Sequence, residues 1–115
     1  MNEGDLISHL LVALDLVDKT IAVVETALRS NPSPDEERAL RKQLLQLQRE
    51  KAALEAELDA ALDGETKVNA PTNAQMVEVE ALLDAVESAS NQALAASAGV
   101  RLAARVLGLL VEVAA

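Results

Sequence analysis

From Ile7 to Leu28, large aliphatic residues recur at Ile7, Leu10, Leu14, Val17, Ile21, Val24 and Leu28. The spacings alternate between three and four, which draws one continuous stripe along an α-helix and is incompatible with the two-residue period of a strand. The same rhythm returns at Leu40, Leu44, Leu47, Lys51, Leu54, Leu58 and Ala61. It returns again at Val79, Leu82, Val86, Ala89, Ala93, Ala96, Val100, Ala103, Leu107, Leu110 and Ala114. Three heptad seams in 115 residues leave room for little else. The chain contains no Phe, Tyr or Trp, so its core is built from Leu, Val, Ile and Ala, with Met76 as the one interior Met. Strands favour aromatic and β-branched side chains, whereas Ala, Leu, Glu, Gln and Arg favour helix.

The punctuation between the seams sets the helix boundaries. Asn2 is placed to cap the first helix, and Glu3 and Asp5 follow in the turn where the helix dipole favours acids. Asn31-Pro32 stops that helix, because proline lacks a donor and disfavours the helical conformation of the residue before it. Ser33-Pro34-Asp35-Glu36 joins an N-cap serine, a proline at the first helical position and a capping-box glutamate. Asp63-Gly64 ends the second helix, with Gly64 free to adopt a left-handed conformation. Thr72-Asn73-Ala74-Gln75 has the form of another capping box. The expected fold is all-α: one domain over residues 1–115, with long amphipathic helices at 3–30, 34–63 and 72–115. The first two form an antiparallel hairpin with coiled-coil or bundle packing, completed by oligomerisation. The third seam keeps its register across Gly99, which favours one helix about 65 Å long beside two of about 40 Å.

Charge and composition exclude several functions. A net charge of −9 repels phosphate backbones, and there is no aromatic ring to stack on a base, so no nucleic-acid partner is expected. The absence of cysteine removes disulfides, thiolate metal sites and cysteine nucleophiles, and fits a reducing compartment. The N-terminus is acidic and lacks the basic start of a secretory signal. The most apolar stretch, Val100 to Ala115, carries Arg101, Arg105 and Glu112 and falls short of the ~20 residues of a membrane span. A cytoplasmic protein without a membrane span is expected.

Residues with chemical potential are few. His9 is the only histidine, with no cysteine and no second histidine to share a metal. Asp15 with Asp18, and Asp84 with Glu87, are acidic pairs three residues apart. Glu80, Asp84 and Glu87 share one face. Helical pyrophosphohydrolases hold Mg²⁺ with Glu-x-x-Glu and Glu-x-x-Asp pairs inside the bundle. Neither pair occurs here, and these acids fall off the apolar seams, so they read as solvated. A calcium loop starting at Asp59 would need ligands where Ala61 and Ala70 stand. There is no phosphate loop and no nucleophile elbow. No catalytic, metal or cofactor residue is therefore assigned, and no cofactor is expected. Lys51 interrupts its seam; its stem is expected to lie along the apolar face while its ammonium reaches water.

The remaining signal concerns packing. Ser88 to Gly99 is almost entirely small, and Ala89, Ala93, Ala96 and Gly99 are expected to allow close helix approach. Beyond it, Val100, Ala103, Leu107 and Leu110 form one stripe, and Leu102, Val106, Leu109 and Val113 a second. A helix apolar nearly all round must be buried nearly all round. These eight residues are therefore expected to form an interface, most simply in a homodimer, otherwise with another helical protein. The expected function is a non-catalytic helical interaction or assembly module. The alternatives are a bundle that binds a small molecule or lipid and, with less support, a metal-dependent enzyme.

Overall fold

The structure is a computed structural model, and it describes residues 3–64, 73–90 and 95–114. Among the described residues there are four helices, which account for more than two-thirds of the chain: α1 (Glu3–Leu28), α2 (Pro34–Leu62), α3 (Asn73–Ser90) and α4 (Ala96–Ala114). No strand occurs among the described residues.

The local signals around α2 operate as the sequence implies. The Ser33 hydroxyl accepts from the Glu36 amide at 3.2 Å, and the Glu36 carboxylate accepts from the Ser33 amide at 2.9 Å. Two otherwise orphaned donors are thus satisfied, with Pro34 beside them where no donor is needed. At the other end Gly64 has φ 71°, and its amide bonds the Ala61 carbonyl at 3.1 Å. Helix α1 ends at Leu28, two residues before the expected Ser30. The Arg29 and Ser30 amides turn back onto Thr26 and Ala27, and Asn31 takes φ 52°, which asparagine tolerates better than most residues. Asn2, expected as a cap for α1, and Thr72, expected to open the third capping box, lie outside the described residues.

The expected continuous helix from 72 to 115 is corrected. Helix α3 ends at Ser90 and α4 starts at Ala96. Ser88, Ser90 and Asn91 are weak helix formers whose side chains compete for backbone hydrogen bonds. Doubling back also lets α4 bury both of its aliphatic stripes against its own chain. The interruption precedes Gly99, which lies inside α4 and donates its amide to the Ala95 carbonyl at 3.1 Å. The long axis of the molecule is 45 Å, close to the length of the 29-residue α2. A helix of about 65 Å would not fit within it.

Helix directions follow from the side chains that meet. Lys51 of α2 pairs with Asp18 of α1, and the short 29–33 connection makes these two helices antiparallel. Asp35, Glu36 and Ala39 border one cleft with Ser97, Val100 and Arg101, so α4 begins beside the start of α2 and runs parallel to it. Glu87, near the end of α3, reaches Lys19 in α1. The bundle therefore runs up, down, up, down. Helices α1 and α4 each touch all three others, whereas α2 and α3 sit at opposite corners and do not meet.

That arrangement explains the burial pattern. The diagonal helices need two apolar stripes, and both have them. In α1, Leu10, Val17 and Val24 are buried from the first seam, and Ala13, Leu16, Val23 and Ala27 from a second. Thr20 completes the second stripe; its hydroxyl donates to the Leu16 carbonyl at 2.7 Å, so it can be fully buried without an unpaired polar group. The corner helices need one stripe. It consists of Leu40, Leu47, Leu54 and Ala61 in α2, and Met76, Val79, Leu82 and Val86 in α3.

Candidate functional site

The residues with potential chemistry end up dispersed over the surface. Asp15, Lys19 and Glu87 form an ion-pair chain across α1 and α3, with Lys19 Nζ 3.1 Å from Asp15 and 2.5 Å from Glu87. The hydrogen bond to Glu87, followed by that to Asp15, raises the Lys19 pKa above its ordinary value. Lys51 Nζ lies 2.9 Å from Asp18 Oδ1, and this hydrogen bond likewise raises the lysine pKa. Its side chain remains about two-fifths exposed, so the stem follows the seam while the ammonium reaches the edge. Both raised lysines favour the folded state at ordinary pH, a contribution lost only as pH rises through their folded pKa values. Exposed pairs of this kind contribute little to stability. Glu37–Arg41 at 2.9 Å is the i, i+4 pair that the sequence implies.

His9 is half-buried, and its Nδ1 has no hydrogen-bond partner among protein atoms. Glu80 and Asp84 are exposed. Among the described residues, no three His, Cys, Asp or Glu side chains come together in a way that could hold a metal ion. No helix there is long and apolar enough to cross a membrane.

The C-terminal residues expected to form an interface require a correction. Ala103, Val106, Leu109 and Leu110 are buried inside their own chain, against α1, α2 and α3. Val100, Leu102 and Leu107 are half-buried against the same core. Within one chain, Ala103, Val106, Leu109 and Leu110 are thus already covered, while Val100, Leu102 and Leu107 keep part of their surface exposed. The burial of Val113 lies outside the described residues. Of the expected close-packing set, Ala96 and Gly99 are buried and Ala89 is half-buried, while Ala93 lies outside the described residues.

Among the described residues Leu11, Leu45, Leu62 and Val77 are exposed large apolar side chains, and two surface features stand out. A groove of about 480 Å³ runs between α3 and α4, lined by Glu78, Ala81, Leu82, Arg105, Gly108 and Leu109. Gly108 opens it, since a Cβ built there would meet nothing within 4 Å. The second feature is the outward face of α2, where Leu45 is 57% exposed. Comparison of the chain with protein-family models, curated proteins and solved structures finds no match. The functional reading therefore rests on these surfaces alone.

The α2 surface was open to sequence reading, because Leu45 stands off the seam of Leu40, Leu44 and Leu47. One buried polar group was not anticipated. Gln43 is 9% exposed, and its Nε2 donates to the Val100 carbonyl of α4 at 3.0 Å while its Oε1 has no partner among protein atoms. Glu57, at the same α2 edge, has its pKa raised by burial and then by the neighbouring charge of Glu50.

Proposed function

We propose that this chain is a non-catalytic helical interaction or assembly module that docks another helix on the outside of a closed bundle. The supporting observation is the outer face of α2. Leu45 is 57% exposed there, although comparable leucines one helical face away are fully buried. A large aliphatic residue held in water gains from burial against a partner, by roughly 1.5–3 kcal/mol if covered completely. The finer reading is homo-oligomerisation, a dimer first, with a different helical protein as the other partner class. A cytoplasmic setting fits a chain without cysteine.

The α3–α4 groove favours a second reading, a bundle that takes up a small molecule between the charged side chains of Glu78 and Arg105. Leu82 and Leu109 form its largely buried floor, and the missing side chain at Gly108 supplies space. Native mass spectrometry of the purified protein separates the two. A ligand-free multimer supports assembly, whereas a monomer that retains a small molecule overturns it in favour of the groove.

A further inference from the structure

We propose that the outer face of α2 is the docking surface for α2 of a second copy, the two helices running antiparallel about a two-fold axis. This rests on the assembly reading and names its partner.

Opposite its buried seam, α2 carries a second heptad stripe: Arg38, Lys42, Leu45, Arg49, then Ala52, Ala56, Asp59, Asp63. Its spacings are four, three, four, three, four, three and four, the rhythm that keeps one face toward a partner helix. All eight residues are exposed. Among the described helices α2 touches α1 and α4, and it does so from the other side, through residues such as Gln43 and Lys51.

The order of residue types along this stripe is the informative part. Its first half is basic around one leucine, its centre is small, and its last two positions are acidic. Reversing the stripe about its midpoint, between Glu50 and Lys51, sets Arg38 against Asp63 of the second copy and Lys42 against Asp59. The same reversal seats Leu45 over Ala56 and lays the Arg49 stem across Ala52. Every charged contact between stripes is then attractive, and each leucine faces an alanine that leaves space for it. A parallel pairing would place cation on cation and acid on acid. A polyanion would meet the acidic half of the stripe and be repelled.

The helix dipole supports the same arrangement. Cations are favoured at a helix C-terminus, yet α2 has no basic residue in its last turn. Asp59 and Asp63 stand there instead. Arg38 and Lys42 of the antiparallel copy supply the missing positive charge. Because the two-fold axis doubles each contact, one self-complementary stripe is sufficient for a closed dimer.

Sedimentation equilibrium of the full chain at micromolar concentration tests this, with circular dichroism to confirm that each variant keeps its helix content. The expected species is a dimer of about 24 kDa, twice the chain's 12.1 kDa. Leu45→Glu is expected to raise the dissociation constant by about tenfold or more. Lys42→Glu and Asp59→Lys should each weaken the dimer, and the double variant should restore it, since position 42 of each copy faces position 59 of the other. The chain has no native cysteine, so single cysteines report the register. Ala52→Cys should form a cross-linked dimer on oxidation and Leu62→Cys should not. A multimer indifferent to Leu45→Glu and to both charge reversals would refute the α2 surface and leave the assembly reading standing. A ligand-free monomer would refute the second copy as partner. A monomer retaining a small molecule would refute the assembly reading itself.

Discussion

Replacing Gln43 by leucine should make the protein more stable. The glutamine sits between α2 and α4, 9% exposed, with one hydrogen bond from Nε2 to the Val100 carbonyl and a buried Oε1 that no protein atom satisfies. Losing the Nε2 bond costs about 1 kcal/mol net. Val100 lies within α4, so its carbonyl keeps its helical partner and is not orphaned. Removing the unpaired acceptor returns about 1–3 kcal/mol, and leucine loses less side-chain entropy on burial than glutamine. Leucine has nearly the same volume, so no large cavity opens. The balance is a gain of about 1 kcal/mol. At about 2.1 cal/mol/K per residue, the unfolding entropy of 115 residues is about 0.24 kcal/mol/K, so Tm should rise by about 4 °C. Thermal melts followed at 222 nm measure this. Gln43→Ala provides the control, because it removes the same polar group but leaves a cavity and should lower Tm. If Gln43→Leu lowered Tm by about 4 °C or more, the amide would be a satisfied tie between α2 and α4, and the reasoning about its unpaired oxygen would fail.

Leu109→Glu should unfold the chain rather than dissociate an oligomer, since Leu109 is 4% exposed and an unpaired carboxylate there costs several kcal/mol; loss of helical circular dichroism at 25 °C is the expected readout. Gly108→Ala should stabilise by up to about 1 kcal/mol, because α4 gains helix propensity and the new Cβ meets nothing within 4 Å; a fall in Tm would contradict this. Glu57→Gln should raise Tm at neutral pH. The raised carboxyl pKa means that the folded state prefers the protonated form, so the ionised group is a burden above its folded pKa and a diminishing one below it. The difference between variant and parent should therefore vanish below about pH 4, and a pH-independent difference would rule out titration as the cause.

Much of the fold is legible in the residues because the signals are local. The capping box at Ser33, the left-handed Gly64 and the buried seam of α2 depend on neighbours within four positions. The break between α3 and α4 is harder to read. Val86, Ala89, Ala93, Ala96 and Val100 keep perfect register across it, and periodicity alone cannot reveal that a helix stops and restarts in phase. The weak helix formers Ser88, Ser90 and Asn91 were the available warning. The double stripe of α4 demands burial on two sides, and within the chain α1, α2 and α3 supply cover for Ala103, Val106, Leu109 and Leu110. The same inference applied to Ala13, Leu16, Thr20, Val23 and Ala27 would have identified α1 as the other diagonal helix. The buried Gln43 has no sequence signature, because its environment is created by α4, more than fifty residues away. The α2 outer stripe is fully legible, yet it acquires meaning only once α2 is known to occupy a corner.

The hairpin of α3 and α4 places Leu109 and Leu110 inside the bundle and leaves the outer face of α2 exposed. A distance between spin labels at Glu78→Cys and Gly108→Cys tests this most directly, in a chain with no native cysteine, with labelled protein diluted into unlabelled protein so that only pairs within one chain are read. Both positions line one groove, and the expected result is a single short distance, about 20 Å or less between labels that face each other across two packed helices. A distance near 45 Å, the span of thirty residues in an unbroken helix, would contradict the hairpin and return the C-terminal stripes to the surface.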